Sequence, residues 1–524
     1  MSVTIVRIEG EIIYHQQALE KLVVFLSKQS TPHLLVVTAL PELAQAIRSE
    51  IVKAHEPEYS QVSIEGILEN LESLINSPAG NKKESEQIRE FDKRGEFRRQ
   101  CERLTGLLRG IHLTGDYSAA LKDQVVSFGE QLTALLVAAR LEQTLSKPHV
   151  QTASANPEVR DSAPGCDGEK AEQSRNSLPG CDGEPAGQTG NSLPGCDGEP
   201  AEQSGNFLGE GKQFITVTTP EELGLRVTAD YGSATFTALE HPEELVSIAG
   251  QIVVVPGSYG IAPNGKIART GRSAADYTSA FLAGALGAER LVLWNLAVEF
   301  TSADPEIVAE AGTLRYLTYA EASELSYFDH FDFHPRTVEP LQPGHIPIHI
   351  LSASTADFLP DTVINSEEHP SKTVVKGIAS TDDLSVLKLN GPGVGLKPGI
   401  LARITSQLSK EGINIKSVIT SQVSINILLG REDGQAARKI AEQLGFTAVS
   451  EITLLDEVTL VAIVGHGMQD HYGISARLFT AVAENKINVI LSGSGASDLV
   501  SYLVIAEQDK QKCIKAVYKA FLED

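Results

Sequence analysis

Residues 271–294 read GRSAADYTSAFLAGALGAERLVLW. A glycine-containing loop opens it, an apolar run of helical length follows, and Gly287 separates that run from the short apolar segment LVLW. This order is typical of a loop, a helix and a buried strand. The same alternation occurs in VTIVRI and HLLVVTAL, each followed by an amphipathic stretch, and again at HIPIHILSA. The pattern predicts an α/β domain.

A second pattern begins near residue 374 and occurs twice. PGILARITSQLSKEGINI at 398–415 corresponds to YGISARLFTAVAENKINV at 472–489. Strand-like segments flank each copy: DLSVLKLNG, NIKSVIT and VSINILL surround the first, and VTLVAIVG, NVILSGSG and LVSYLVIA surround the second. An internal repeat of strand, helix, strand and strand predicts two ferredoxin-like βαββαβ modules.

The composition sets the size and the partners of the chain. It has 524 residues, 42% of them hydrophobic, and a net charge of −24. At roughly 100 to 200 residues per domain, this length predicts three or four domains. The acidic balance excludes nucleic acid and anionic membranes as default partners. No apolar run reaches the roughly 18 to 20 residues that cross a bilayer, and MSVTIVRIEGEI lacks the apolar stretch of a signal peptide, so we expect a cytoplasmic protein.

A low-complexity tract interrupts the α/β pattern. PGCDGE begins at Pro164, Pro179 and Pro194, which places successive copies 15 residues apart. Gly, Pro, Ser, Gln and acidic residues dominate the tract at 151–212, so it has too few apolar side chains for a packed core and we expect disorder. Three of the five cysteines lie there, without metal-ligand spacing, so the sequence predicts neither a disulfide framework nor a metal site.

These patterns divide the chain into four parts. Residues 1–150 and 213–365 are predicted to form one discontinuous α/β domain, with 151–212 as an insertion in a surface loop. Such an insertion costs little loop entropy. The first C-terminal module is predicted at 374–450 and the second at 451–524.

Six ordered blocks of the sequence resemble the aspartokinase family, in which an amino-acid kinase domain precedes paired ACT domains, small regulatory folds that bind amino acids. The blocks are TGRSAADYTSAFLAGALGAERLVLW, TSADPEIV, YAEASELSYF, HPRTVEP, the SFGE of Ser127–Glu130, and ITSQVSINILL beside LSKEGINI. The resemblance implies the three-layer α/β/α amino-acid kinase fold followed by two ACT modules. It also implies a homodimer formed through ACT domains, or association with an active aspartokinase.

The resemblance assigns four residues to substrate and phosphoryl chemistry. The family's reaction is attack by a β-carboxylate on the γ-phosphoryl group of ATP, with Mg²⁺, and it depends on positioning and charge neutralisation. Asp276 lies at the position that organises the phosphoryl end, and Arg7 replaces the family's phosphate-binding lysine. Arg272 lies where an arginine grips the substrate carboxylate as a fork, and Glu130 where an acid pairs with the substrate amino group.

Structural explanations for the same residues stay open. Arg272 and Asp276 are also expected if they bond each other or cap the helix that begins at Tyr277, because Asp is a good N-cap residue. Glu130 is also expected as a solvated or salt-bridged helix residue.

The nucleotide-binding segments depart from the family pattern. K-F-G-G-T-S in the family is Arg7–Ile12 here, which keeps Gly10 but adds carboxylates at Glu9 and Glu11. Further along, Asp304 keeps its charge, whereas the family's next arginine and its nucleotide-contacting lysine have become Glu306 and Phe331. Loss of one preorganised donor costs roughly 10² to 10³ in rate in other enzymes. We therefore expect no useful ATP turnover by the usual route.

The first ACT module keeps an effector site by resemblance. A strand-to-helix turn offers backbone N–H groups and a helix dipole to a ligand carboxylate, and nearby polar side chains suit an amino acid. Lysine-sensing members carry an acid where this chain has Lys416, so we expect a neutral or acidic amino acid. The alternative is that these residues only pack an ACT dimer interface. The predicted effector residues are Gly399, Ile400, Leu401, Asn414, Ile415 and Gln422.

The leading hypothesis is a catalytically impaired aspartokinase homologue of aspartate-derived amino-acid biosynthesis, which acts as an ACT-based amino-acid-sensing or regulatory subunit. One alternative is an active, ATP- and Mg-dependent aspartate kinase with a diverged nucleotide site, forming 4-phospho-L-aspartate and ADP. The other is a scaffold whose ACT modules bind nothing. No cofactor is expected unless the kinase is active.

Overall fold

The structure is a computed structural model of the full chain. It describes residues 3–28, 31–54, 95–115, 118–145, 215–242, 252–271, 274–297, 300–328, 333–354, 358–369, 373–494 and 497–523. The predicted insert at 151–212 lies outside the described residues, as do Arg272 and Phe331.

The α/β unit contains twelve described strands and seven described α-helices. The strands are β1 (Thr4–Ile8), β2 (His33–Val37), β3 (Ile215–Val217), β4 (Leu225–Val227), β5 (Phe236–Leu239), β6 (Ile252–Pro256), β7 (Tyr259–Ile261), β8 (Ile267–Arg269), β9 (Leu291–Asn295), β10 (Tyr316–Thr318), β11 (Ile348–Ser352) and β12 (Thr362–Asn365). The helices are α1 (Gln16–Ser27), α2 (Pro41–Lys53), α3 (Glu96–Thr114), α4 (Ala119–Val126), α5 (Phe128–Leu145), α6 (Ala275–Leu286) and α7 (Tyr319–Phe328).

Eight of these strands form the main sheet, in the order β3-β6-β2-β1-β9-β11-β12-β10. Neighbouring strands run parallel except β11 and β12. Strands from both sides of the tract at 151–212 therefore lie in one sheet. A smaller sheet, in the order β5-β4-β7-β8, carries the segment that leads into α6.

Both faces of the main sheet are covered, which is why its central strands are mostly apolar. Along β1, Ile5 packs in the apolar cluster that includes α6, whereas Val6 and Ile8 pack in the cluster that includes α1, α2, α3 and α5. Burial on both faces is the normal state of parallel strands. The three-layer α/β/α architecture predicted from the sequence is confirmed.

The chain order reverses across β1, because β2 and β6 lie on one side of it and β9 and β11 on the other. In open α/β sheets, ligands bind at the carboxyl ends of the strands beside such a switch point. The residues that end β1 and β9 are therefore the first place to look for a site.

The C-terminal half contains two antiparallel sheets and four described α-helices. The strands are β13 (Gly377–Thr381), β14 (Ser385–Asn390), β15 (Ile415–Thr420), β16 (Ser424–Leu429), β17 (Glu451–Leu455), β18 (Val458–Val464), β19 (Val489–Ser494) and β20 (Val500–Ala506). The helices are α8 (Ile400–Lys410), α9 (Gly434–Gln443), α10 (Ile474–Glu484) and α11 (Lys510–Phe521).

The division between the two modules corrects the predicted boundary. The first sheet has the order β15-β16-β14-β17 and the second β13-β18-β20-β19. Thus β13, predicted within 374–450, pairs with β18 of the second module, and β17, predicted within 451–524, pairs with β14 of the first. The first module is inserted between two neighbouring strands of the second. Both modules are present as expected.

The two modules share the details of their repeat. Gly399 precedes α8 with φ 87° and Gly473 precedes α10 with φ 82°, a left-handed conformation that favours glycine. Each helix also places an arginine against an aromatic ring at similar distance, Arg403 over Phe446 at 4.9 Å and Arg477 over Phe521 at 5.1 Å. The sequence correspondence at 398–415 and 472–489 therefore reflects a structural repeat.

The α/β unit packs directly on the second C-terminal sheet. Helix α7 contacts β13 and β18, and one apolar cluster continues from the main sheet to Leu460, Ala462 and Tyr502. Lys376, just before β13, pairs with the fully buried Glu321 of α7 at 2.8 Å. Among the described helices, none is both long and apolar enough to span a bilayer.

Candidate functional site

The carboxyl end of β1 carries a buried ion pair. Arg7 and Ile5 are two residues apart on β1, so their side chains point to the same face of the sheet. Helix α6 covers that face, and its first turn contains Asp276. The Nε atom of Arg7 lies 2.5 Å from Oδ1 of Asp276, and both side chains are 1% exposed. The second oxygen of Asp276 accepts the main-chain N–H of His334 at 3.2 Å. The structure thus brings together two of the predicted catalytic residues, and it makes them partners of each other.

Glu9 completes this cluster from the other side. Its Oε1 lies 3.6 Å from Nη1 of Arg7, and its Oε2 accepts the main-chain N–H of Leu296 at 3.1 Å. Leu296 follows β9 directly, so the carboxylate bridges the ends of β1 and β9 at the switch point. A backbone N–H in this position is the kind of donor that binds a phosphate in other α/β folds. Here a carboxylate of the chain itself uses it.

Gly10 is required for close packing. Its N–H donates to Oγ1 of Thr38 at 3.0 Å. A Cβ atom at this position would lie 2.6 Å from the carbonyl oxygen of Thr38 and 2.7 Å from a methyl group of Thr133. Both the missing side chain and the amide of this predicted nucleotide-binding residue therefore serve the contact between the β1 and β2 loops.

Glu130 lies at the start of α5 and is 3% exposed. Its Oε1 accepts a hydrogen bond from Nη2 of Arg269, at the end of β8, at 2.5 Å. Burial raises the pKa of the Glu130 carboxyl, although the nearby Arg269 charge lowers it. The other oxygen, Oε2, has no hydrogen-bond partner among the described residues. A guanidinium of the chain thus occupies one side of the acid assigned to the substrate amino group.

Two further residues hold this second ion pair in place, and neither they nor Arg269 were predicted from the sequence. Asp123 accepts main-chain N–H groups from Arg269 at 2.8 Å and from Gly232 at 2.7 Å. Tyr259 is paired with Arg269 across β7 and β8, and its buried hydroxyl has no hydrogen-bond partner in the described part of the chain. The available signal was a lone arginine in the otherwise apolar strand IAR, shortly before the GRSAAD loop.

Asp304, the other predicted nucleotide-binding residue, forms a turn. Its Oδ1 accepts the main-chain N–H of Glu306 at 2.9 Å, and its carbonyl oxygen accepts that of Val308. Ala303 and Val308 on either side pack in the apolar core of the second C-terminal module. The structure therefore does not bring Asp304 to Arg7. Of the predicted substrate residues, Arg272 lies outside the described part.

The strand-end residues do not fit a magnesium-bound polyphosphate as they are arranged. One guanidinium faces two carboxylates there, and the amides of Gly10 and Leu296 already have acceptors within the chain. A phosphoryl-transfer site needs an excess of positive charge around the transferring group. The described residues also include no cluster of three or more side chains that could hold a metal ion.

The predicted effector residues surround the two turns of the first C-terminal module. Gly399 is the N-cap of α8, Ile400 is buried, and Leu401 is 38% exposed. Gln422, in the exposed turn between β15 and β16, accepts the N–H of Gly395 through its carbonyl oxygen at 3.0 Å. This bond joins the two turns.

The remaining effector residues begin the edge strand of the same sheet. Asn414 is exposed and Ile415 is half-buried at the start of β15. The amino group of Lys416 lies 2.9 Å from a carboxylate oxygen of Asp383 and also contacts its carbonyl oxygen. The Lys416 charge is therefore balanced within the chain.

Comparisons with known proteins match three stretches of the sequence. Residues 237–352 match the amino acid kinase family, and residues 379–440 and 461–521 each match an ACT domain. The bifunctional aspartokinase/homoserine dehydrogenase of Haemophilus influenzae is 28% identical over 281 residues, 52% of this chain and 34% of that protein. Aspartokinase 2, chloroplastic, of Arabidopsis thaliana is 27% identical over 318 residues, 58% of each chain. The chain thus spans between a third and three fifths of the length of these relatives.

The fold is also found among solved structures. The crystal structure of Escherichia coli aspartokinase III in complex with aspartate and ADP aligns with a TM-score of 0.69 over 99% of both chains, at 17% sequence identity. At this identity the likeness shows the fold, an amino-acid kinase unit followed by ACT modules.

Proposed function

We propose that this chain, which belongs to the aspartokinase family, is a regulatory member of that family with little or no phosphoryl transfer. It senses an amino acid through its ACT modules and acts in aspartate-derived amino-acid biosynthesis. The observation that carries the proposal is the Arg7 guanidinium, buried between Asp276 and Glu9.

The charge of Arg7 is already compensated. A cation speeds phosphoryl transfer only if it stabilises the charge on the phosphoryl oxygens more strongly in the transition state than in the ground state. Arg7 has no such freedom, because moving it toward a phosphate leaves the buried Asp276 without its cation. Leaving one member of a buried pair alone costs about 3 to 5 kcal/mol. Binding of ATP would also bring polyphosphate against Glu9, so like charges would oppose each other.

The acceptor side supports the same proposal. Glu130 would bind a substrate ammonium best if both of its carboxylate oxygens were available. Oε1, however, already accepts a hydrogen bond from Nη2 of Arg269 at 2.5 Å. An incoming ammonium would therefore meet a guanidinium within the same buried space. Recognition of aspartate through Glu130 is weakened, although its second oxygen is still available.

Calorimetric titration of the full chain with MgATP, with and without aspartate, tests the proposal. We expect no saturable heat for the wild-type chain. The double variant Arg7→Lys/Glu9→Gly restores the family's lysine and first glycine at the end of β1, and a gain of MgATP binding in it would tie the loss to these two residues. Saturable binding to the wild type that aspartate strengthens would reject the proposal.

A working aspartate kinase is the second candidate, and one observation favours it. Oε2 of Glu130 has no hydrogen-bond partner in the described part of the chain, so this acid can still accept a substrate ammonium. In this case MgATP would displace Glu9 from Leu296, and ATP and Mg²⁺ would be the required ligands. ADP release that depends on aspartate distinguishes this function from the regulatory one.

The proposed sensing function rests on the two joined turns of the first ACT module. Leu396 and Val423, which adjoin the bond between Gly395 and Gln422, are 69% and 57% exposed. These two side chains expose apolar area on both turns, beside the bond that joins them. We propose that this surface joins a second copy of the chain, or an active aspartokinase, with an amino acid bound at the contact.

Thermal unfolding in the presence of each proteinogenic amino acid tests the sensing function. A ligand that binds only the folded chain raises its stability by mass action. We expect a neutral or acidic amino acid to raise the unfolding temperature, and Asn414→Ala to abolish the shift. A scaffold without a ligand would show no shift for any of them. The cytoplasmic location stays a prediction.

A further inference from the structure

A cleft of about 430 Å³ lies where the α/β unit meets both C-terminal sheets. Helix α7 forms one wall, β15 of the first C-terminal sheet contributes Lys416, and β20 of the second contributes Tyr502. Three segments that are distant in sequence therefore converge on one space. Its volume lies within the range of sites that hold small organic molecules.

Aromatic rings line the cleft. The rings of Phe328 and Tyr502 are 6.0 Å apart, and Tyr327 meets Phe328 edge-on at 4.9 Å. The Tyr502 ring is also hydrogen-bonded, since its hydroxyl group lies 2.9 Å from that of Ser417. A preordered aromatic wall offers a π face to a cation and apolar area to a hydrocarbon body.

The charges of the described lining residues leave one acid unbalanced. Lys416 is held by Asp383, as shown above, so it contributes mainly its apolar stem. Glu324 of α7 is half-buried, and no cation of the described residues pairs with it. Burial raises the pKa of its carboxyl, whereas a hydrogen bond with Ser497 lowers it. A half-buried carboxylate beside aromatic faces is complementary to an ammonium group.

We propose that this cleft binds a small organic cation, with its primary ammonium on Glu324 and its apolar or aromatic body against Phe328 and Tyr502. Either an amine or an amino acid could supply this ammonium chemistry. The site is separate from the turns around Gly399 and Gln422 and does not depend on phosphoryl transfer. It deepens the proposed regulatory function, because a ligand here would contact the α/β unit and both ACT modules at once.

One segment of the chain connects the cleft to the buried ion pair of the α/β unit. Pro335 lines the cleft and directly follows His334, whose N–H binds Asp276. A molecule bound in the cleft therefore contacts the segment that positions the partner of Arg7.

Titration of the full chain with three probes tests the site. Phenethylamine carries the ammonium and the ring, L-phenylalanine adds a carboxylate, and 3-phenylpropionate carries the ring with a negative charge only. We expect saturable binding of phenethylamine by calorimetry and ligand-observed NMR, and none of 3-phenylpropionate. Equal affinity for L-phenylalanine would indicate that a free amino acid is accepted, and much weaker affinity would indicate an amine.

Variants assign the binding to the cleft. Glu324→Gln keeps the shape but removes the charge, and should weaken phenethylamine binding about tenfold, since hydrogen bonds to charged groups are the stronger ones. Glu484→Gln, a change at an exposed acid on α10, should bind it like the wild type. Folding of each variant is checked by its thermal unfolding curve.

Three results would overturn the proposal. They are no binding of phenethylamine at concentrations up to about 10 mM, binding of 3-phenylpropionate as tight as that of phenethylamine, or unchanged affinity for phenethylamine in a folded Glu324→Gln variant. If Glu324→Gln itself fails to fold, Tyr502→Phe and Phe328→Leu replace it. Phe328→Leu should weaken binding, whereas Tyr502→Phe keeps the ring and should retain it; equal binding in both would also reject the site. Because ATP is absent, failure here leaves the MgATP test of the proposed function unaffected.

Discussion

Arg7 and Asp276 form a buried ion pair, with Nε and Oδ1 2.5 Å apart and both side chains 1% exposed. The pair joins the end of the central strand β1 to the first turn of α6, at the switch point of the main sheet. It gives the two residues a structural function that does not require ATP. Glu9 adds a second acid to the same guanidinium.

Removing either member of the pair should destabilise the α/β unit. Arg7→Met leaves the buried Asp276 without its cation, so it should lower the free energy of unfolding by about 3 kcal/mol or more. Asp276→Ala should cost less, because Glu9 still lies 3.6 Å from Arg7. The double variant should lose less than the two single losses together, because the charges are removed as a pair. Trp294, the only tryptophan of the chain and 2% exposed on β9, reports urea unfolding of this unit by fluorescence. If the loss in the double variant equals the sum of the two single losses, Arg7 and Asp276 do not interact energetically.

Gly10→Ala should destabilise the α/β unit even without nucleotide. The new methyl group would overlap the carbonyl oxygen of Thr38 and a methyl group of Thr133, and such overpacking costs about 1 to 3 kcal/mol. Gly106→Ala is the matched control, because that position in α3 has open space and alanine favours a helix. The control should be neutral or stabilising by urea unfolding. A neutral Gly10→Ala would show that the packing explanation is wrong.

His33 should make the chain less stable as the pH falls. Burial lowers the pKa of His33 from 6.5 to about 4, against a weaker opposing effect of its hydrogen bond with the Leu26 carbonyl. Between these values the unfolded chain binds a proton that the folded chain does not, so stability is complete above pH 6.5 and is lost toward pH 4. From pH 7 to pH 5 this residue should account for about 2 kcal/mol.

The His33 contribution is measured by comparison with a variant. His33→Gln should lose less stability than the wild type between pH 7 and pH 5, by urea unfolding with Trp294 fluorescence. His345→Gln changes an exposed histidine and should follow the wild type. Parallel curves for His33→Gln and the wild type would contradict the assignment.

Lys376 should couple the α/β unit to the second ACT module. Its amino group pairs with Glu321, which is fully buried and also accepts the N–H of Thr318 at 2.9 Å. Lys376→Met leaves that carboxylate without its cation, so the thermal midpoint should fall by an amount equivalent to about 3 kcal/mol. Lys439→Met, at an exposed position of α9, should leave the midpoint unchanged. Equal thermal midpoints for Lys376→Met and Lys439→Met would show that the pair of Lys376 and Glu321 does not stabilise the chain.

The fold was predictable because local patterns determine most of it. The alternation along VTIVRI, the helix and glycine stop of 271–294, and the repeat at 398–415 and 472–489 each agree with the structure. The exchange of β13 and β17 between modules was not predictable in this way. GIAST and EITLL are both short strands, and only long-range pairing decides which sheet each one joins.

The candidate site shows the same limit. Arg7, Asp276 and Glu130 were identified from their motifs, but their partners were not. Arg269 is 139 residues from Glu130, and Leu296 is 287 residues from Glu9. Such contacts depend on how the strands assemble, and composition or spacing along the chain carries no direct signal for them.

The loss of phosphoryl transfer is tested by the rate of ADP release from MgATP, with and without aspartate, by the wild-type chain and by Asp276→Asn. This variant keeps the shape of the side chain and removes its charge. We expect the same background rate in all four measurements. Release by the wild type that requires aspartate and is lost in a folded Asp276→Asn variant would contradict it, and would identify the chain as a working aspartate kinase.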